Sequence, residues 1–228
     1  MNFIYHHLGL GDHIICNGLV RKLINENEEY NLFSKYENSE SVKFMYRDLP
    51  NIKIFEINDD MKASWVLSQN NPDKVFLIGH STVPDIIKKY NCNWDHAFYI
   101  QMDVPFGERW NSFYVERDSE GEDKLFNELN SDNSDYALIH SKDSSGTDRI
   151  DYKKIDNNLK KIFVEPRGHI FNYLKLIERA KEIHCIDSSF KHLVESVNTK
   201  SILYFHKNYK ARIDNPIPHT SNKNWILV

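Results

Sequence analysis

Two stretches of chain, each alternating strand-length apolar runs with amphipathic helical segments, are separated by the polar break Ser131-Asp132-Asn133-Ser134-Asp135. Strands alternating with helices imply right-handed crossovers between parallel neighbours, so the sequence predicts an α/β protein of two Rossmann-like lobes. Their mostly parallel sheets are expected to face each other across a cleft. The first lobe is placed at residues 1–130, with a helical extension, and the second at residues 136–228.

Phe3-Ile4-Tyr5 reads as the opening strand, and Ile14, Ile15, Leu19 and Leu23 recur at helical spacing, which predicts a helix starting near Asp12. The turn between them contains Gly9 and Gly11, residues able to take positive φ and to let backbone approach a ligand, and Asp12 stands where a carboxylate caps free helix N–H groups. As a dinucleotide fingerprint the turn is incomplete. Gly9-Leu10-Gly11-Asp12-His13-Ile14 lacks the third glycine, and the strand Tyr30–Ser34 is followed by Lys35 rather than by a ribose-binding acid. Two readings stay open: Asp12 is only a helix cap, or it is a general base at the mouth of a cleft with His6, His7 and His13 close by.

The first half continues with a strand at 31–34, a helix at 39–47, a strand at 52–57, a helix at 60–69, a strand at 74–79 and a helix at 85–90. His80 follows a strand and precedes a Ser-Thr turn, so it falls at the carboxyl edge where such sheets bind ligands. Residues 92–130 are aromatic and charged, with Trp94, Phe98, Trp110, Phe113 and Tyr114 spaced as packing faces of two or three helices before a helix at 119–130. The second half offers strands at 136–140, 162–165, 183–187, 201–205 and 225–228, and amphipathic helices at 170–181 and 188–198.

Composition narrows the function classes. A chain of 228 residues that is 40 % hydrophobic and 13 % aromatic can bury one large core or two small ones. A net charge of −4 argues against a broad nucleic-acid surface, which needs a clear basic excess. Three distant cysteines suggest neither a disulfide framework nor a zinc ribbon, and a cytoplasmic location with at most peripheral membrane contact is expected.

Two loops in the second half suit a diphosphate, which wants backbone N–H donors and one or two cations. The first runs from Ser141 through Lys142, Ser144 and Ser145 to Arg149; no Walker pattern is present in it. The second is the strand-to-helix junction Asp187-Ser188-Ser189, with His192 one turn further on. Lys207 and Arg212, after the 201–205 strand, and Glu165, ending the 162–165 strand, stand where a diphosphate or a ribose would lie.

Leu10-Gly11-Asp12, taken with Ile186-Asp187-Ser188-Ser189-Phe190-Lys191-His192-Leu193, resembles the heptosyltransferase-like glycosyltransferases of the GT-B fold. Those have a Gly-Asp near the amino terminus and an Asp-Ser/Thr-x-x-x-His-Leu motif before a helix of the donor domain. Ser189 stands where the family often has glycine, and Arg149 is the cation nearest the place of its Lys-Trp-Pro. The resemblance implies metal-independent, inverting transfer from a nucleotide-diphosphate sugar to a glycan or other hydroxyl acceptor, with no cofactor. Asp12 would be the base of an acceptor-side lobe, with Gly9, Gly11, His13 and His80 near the substrate. Asp187, Ser188, Ser189 and His192, with the Ser141–Arg149 loop, would hold the donor.

The chemistry needs one base for the acceptor hydroxyl and dipolar or positive groups for the departing diphosphate. Adjacent strand residues point to opposite faces, which disfavours zinc binding by His6, His7 and His13. Two alternatives remain at this point: a non-catalytic nucleotide-sugar or phosphate-binding module, and a sugar-nucleotide epimerase or hydrolase on the same fold.

Overall fold

The computed structural model describes residues 1–143, 145–207 and 221–228. Among these, contacts divide the chain into two units, residues 1–116 and the described residues from Arg117 onward.

The first unit runs β1 (Asn2–Tyr5), α1 (Leu10–Leu23), β2 (Tyr30–Lys35), α2 (Ser39–Met45), β3 (Ile52–Ile57), α3 (Asp60–Asn70), β4 (Lys74–Leu77), α4 (Val83–Tyr90), α5 (Trp94–Gln101) and α6 (Glu108–Asn111). Its four strands are parallel in the order β3-β2-β1-β4. One face of this sheet is aromatic: Phe3 stacks on Phe33 at 5.3 Å and Tyr5 meets Phe33 edge-on at 5.6 Å. Ala63 and Val66 of α3 close over them. Full burial of such side chains contributes about 1.5–3 kcal/mol each, and this, rather than helix propensity, holds α3 in place.

The second unit runs α7 (Ser119–Leu129), β5 (Tyr136–His140), β6 (Lys160–Phe163), α8 (Leu174–Arg179), β7 (Glu182–Cys185), α9 (Ser189–Ser196), β8 (Ile202–Phe205) and β9 (Trp225–Leu227). Its sheet is parallel throughout, in the order β6-β5-β7-β8-β9. The helix expected to extend the first lobe, α7, packs instead on α8 in this unit, where Leu125 and Phe126 find their apolar partners. The expected single helix at 170–181 divides into a 3-10 turn, Ile170–Tyr173, and the short α8.

Among its described residues the crossover from β5 to β6 carries no α-helix, only a 3-10 turn at Tyr152–Lys154. It covers the sheet with Ile150 and Ile155, which pack against Ala137 and Ile139. Cys16, Cys92 and Cys185 are buried free thiols. Among the described residues no helix is long and apolar enough to cross a membrane.

Candidate functional site

In the first sheet the chain steps outward from β1 through β2 to β3 and then returns to the other flank of β1 as β4. Strand order therefore reverses between β1 and β4, and at such a point the two outgoing loops diverge and leave a crevice over the carboxyl ends. His6 to Gly9 leave β1 there, and Gly79 to Ser81 follow β4.

The two loops are tied together. His7 Nε2 lies 3.0 Å from the Gly79 carbonyl, so this nitrogen carries the proton and donates. The Gly79 N–H donates to Gln101 Oε1 at 2.8 Å, and Gln101 Nε2 donates to the His80 carbonyl at 2.8 Å. The His7 ring lies 4.7 Å from His80 and 5.1 Å from Trp94, while Tyr5 lies 4.4 Å from His80 and donates its hydroxyl to Asp60 at 2.7 Å. Gly79 has φ +85°, and a Cβ on it would meet Phe98 Cε1 at 2.7 Å and His7 Cδ2 at 2.8 Å. Gly79→Ala is thus expected to cost at least about 1–2 kcal/mol from the left-handed backbone alone, and to displace His7. Chemical denaturation and the His7 ring resonances check this.

Asp12 sits differently from its expected capping position. α1 begins at Leu10, so Gly9 is the N-cap, with extended backbone (φ −70°, ψ 144°), and Asp12 occupies the third helical position. Neither Gly9 nor Gly11 takes positive φ. A Cβ at Gly9 would come 2.7 Å from Asp12 Oδ2, so a side chain there would push the carboxylate aside. Burial pushes the Asp12 carboxyl up from 3.8 to about 6, against the opposing pull of His7 and of its own backbone N–H. Desolvation outweighs a helix N-terminus that would otherwise favour the anion.

Behind Asp12, His6 and His13 are 1 % and 0 % exposed and meet edge-on at 4.3 Å. Burial pushes His6 down to about 4 and His13 well below the ordinary histidine range, so both are neutral at physiological pH. His13, expected to touch substrate, is a packing residue under this edge, while His80 is half-buried at it, against the Tyr5 and His7 rings. Asp12 thus presents a carboxylate of near-neutral basicity in front of the neutral His6 and His13 rings, which suits removal of a proton from a hydroxyl.

The second sheet repeats the arrangement, with strand order reversing between β5 and β7. His140 pairs in register with Cys185 and its ring stacks on Phe190 of α9 at 5.4 Å and 10°. Ser141 and Asp187 thus leave adjacent strand ends. Ser188 caps α9, its Oγ accepting from the Lys191 N–H at 3.4 Å, and its carbonyl accepts from the His192 N–H at 3.3 Å. The Ser189 and Phe190 N–H groups stand at the head of the helix, where the intrahelical ladder has no acceptor for them. Glu165 and Lys207 follow β6 and β8 and are exposed at the same carboxyl edge.

Other expected contacts are already committed. His192 is 7 % exposed, with Nδ1 3.5 Å from Glu195. In the 141–149 loop, Asp143 accepts from the N–H groups of Ser145 (2.9 Å) and Thr147 (3.0 Å), from Ser145 Oγ (2.5 Å) and from Arg149 Nε (2.8 Å). These donors hold its carboxyl well below the usual range. A carboxylate of the chain itself thus fills the concavity expected for phosphate, leaving Lys142 as the exposed cation there. Ser141 is buried, and Ser144 and Arg212 lie outside the described residues.

Sequence reasoning placed His7 near Asp12 but missed Trp94, Gln101 and His140 as edge residues, because their place depends on which strands are neighbours. Among the described residues no group of three His, Cys, Asp or Glu side chains is arranged to hold a metal ion.

No protein-family model matches the chain, and no curated protein matches it in sequence. Solved structures do. A glycosyl transferase family 9 protein from Veillonella parvula superposes with a TM-score of 0.52 at 10 % identity, over 90 % of this chain and 79 % of that one. The ADP-heptose LPS heptosyltransferase II of E. coli gives 0.52 at 9 % identity, over 100 % of this chain and 89 % of its own. The two parallel sheets and their helices therefore have the GT-B glycosyltransferase fold of these heptosyltransferase-type proteins.

Proposed function

We propose that this chain transfers a sugar from a nucleotide-diphosphate sugar to a hydroxyl of a glycan or similar acceptor. Asp12 takes the proton of the acceptor hydroxyl. The oxygen so freed forms a bond to the anomeric carbon, the bond from that carbon to the diphosphate oxygen breaks, and the electron pair leaves with the nucleoside diphosphate. Attack opposite the leaving group inverts the anomeric centre. In this reading the Ser189 and Phe190 N–H groups and Lys142 meet the charge that develops on the diphosphate without a metal ion, Asp187 and Glu165 accept from ribose hydroxyls, and Lys207 supplements the cationic side.

What supports this reading above all is that the two segments resembling the glycosyltransferase motifs, Gly9 to Asp12 and Asp187 to Ser189, each lie at the strand-order reversal of their own sheet. Raised basicity at Asp12 and open helix-head donors at Ser189 add the chemical fit.

The test is a donor screen. ADP-, UDP-, GDP- and CMP-sugars, ADP-heptose among them, are offered at up to a hundred times their Kd, at which a true ligand adds about 2.7 kcal/mol of stability. One nucleotide class is expected to raise the melting midpoint, and nucleotide release is expected to require an acceptor. Release without any acceptor would point to hydrolysis instead, and no shift with any donor would end the proposal.

A further inference from the structure

The β5–β6 crossover lacks the helix that normally covers a parallel sheet, and a polar chain stands in its place. Glu182 and His184, two apart on β7, share the face on which Ala137 and Ile139 lie. His206 follows β8 on that same face, two residues beyond Tyr204, whose ring stacks on His184 at 4.5 Å and 5°. His184 Nε2 lies 3.1 Å from Glu182 Oε2, and His184 Nδ1 lies 3.0 Å from His206 Nε2.

Both ends of this chain grip the crossover. The Asp151 N–H donates to His206 Nδ1 at 3.2 Å, and the Asp156 N–H donates to Glu182 Oε2 at 3.3 Å. The segment held between these anchors includes the 3-10 turn, and the 141–149 loop leads directly into it. All three residues are nearly sealed from solvent, Glu182 at 9 %, His184 at 0 % and His206 at 1 %.

Counting protons fixes the state of each ring. His206 Nδ1 accepts from a backbone amide and so is bare, which puts the proton on its Nε2. That proton is donated to His184 Nδ1, which must also be bare, and His184 Nε2–H then donates to the Glu182 carboxylate. A further proton on either ring has one destination compatible with the other contacts, His206 Nδ1, where it would face the Asp151 N–H. The clasp therefore opens when the rings gain a proton.

We propose that Glu182, His184 and His206 are positioning residues that hold the loop at residues 141–149 on the sheet through the Asp151 and Asp156 amides, in a manner that one proton releases. The charged and titratable groups around the rings are Glu182 on β7, Tyr204 on β8, and Asp151 and Asp156 on the crossover. Burial holds both rings below the usual histidine range, His206 at about 4, so the clasp is closed at neutral pH. That the loop serves a donor sugar rests on the proposed function; that it is clasped does not.

Nitrogen-15 spectra of the wild-type imidazoles decide the first part without any variant. At pH 7.5 both His184 and His206 are expected as the Nε2–H tautomer, and a proton on His206 Nδ1 would overturn the clasp. Amide exchange supplies the second readout. His206→Phe is expected to speed exchange at Asp151 at least tenfold and to leave Leu138 and Ile183 in the sheet unchanged, with His206→Asn, which keeps an acceptor near the amide, partly restoring protection. Unchanged exchange at Asp151 in His206→Phe would overturn the proposal. With a working donor, His206→Phe is expected to raise donor KM at least fivefold and kcat by less than twofold. Lost protection with no change in KM would uphold the clasp and refute the loop's role toward the donor.

Discussion

Asp12→Asn is expected to lower turnover by a factor of roughly 10²–10⁴, the range supplied by a positioned general base, while making the fold more stable. The two effects have one cause. Burial raises the folded-state carboxyl from 3.8 to about 6, so between those values the folded chain holds a proton that the unfolded chain gives up, and stability falls as pH rises through that window. Above pH 6 the full cost is present. At 1.36 kcal/mol per unit the shift corresponds to about 3 kcal/mol, of which an amide, still polar and still to be desolvated, should recover about 2 kcal/mol. For a chain of this size that is a rise of about 4–8 °C in the melting midpoint. Well below pH 3.8 the wild-type carboxyl is protonated in both states and the difference closes. In the wild type the acid limb of kcat/KM is expected near pH 6. A side chain that served only to cap α1 would show neither effect, because asparagine caps a helix about as well as aspartate, so stability and turnover would both stay near the wild type. Thermal scans at about pH 3 and pH 7.5, run beside nucleotide-release assays, separate the two.

The strands were legible because their burial is so complete: Ala137, Leu138 and Ile139 are all 0 % exposed, and a run apolar on both faces is the mark of a parallel interior strand. The same logic carried β1 and β2. Asp12 and Asp187 to Ser189 were legible as candidates because a glycine turn and a strand-to-helix junction are short-range patterns. What the sequence could not supply was strand order. His7 and Gln101 matter only because β4 lies against β1, and His140 only because β7 lies against β5. Nothing local to those residues states either neighbour. The start of α1 was misjudged because Asp12 is a strong capping residue, whereas tertiary packing places the cap at Gly9, beneath the folded-back carboxylate. The loop at 141–149 was read as suited to a diphosphate, and its composition did not disclose that Asp143 takes up its donors. Glu182 and His184, which look like polar interruptions of an apolar strand, became intelligible once β8 brought His206 beside them.

The other large effect is expected beneath α1. Arg109 of α6 and Asp95 of α5 form an ion pair with side chains 1 % and 3 % exposed, and both influence Cys16, one helical turn from Asp12. Asp95→Ala should destabilise the first unit by about 3–5 kcal/mol, because it leaves a guanidinium in a dry interior without the carboxylate that compensates it. The pair itself is a different matter: two charges removed from water lose about as much in hydration as they gain from each other. Replacing both together, Arg109→Met with Asp95→Leu, is therefore expected to fall within about 1–2 kcal/mol of the wild type. A double-mutant cycle by denaturant titration, closed with the single variants Asp95→Leu and Arg109→Met, should thus return a coupling of several kcal/mol, with each single variant worse than the double. The functional consequence follows from the packing. α1 rests on α6, so loosening α6 unseats the helix that carries Asp12. Turnover should fall with Asp95→Ala and return in the double variant, since the reaction needs a rigid seat for Asp12 and not the charges under it. If the double variant folded well but stayed inactive, the Arg109–Asp95 pair would act on the electrostatics of the Asp12 edge rather than on its geometry.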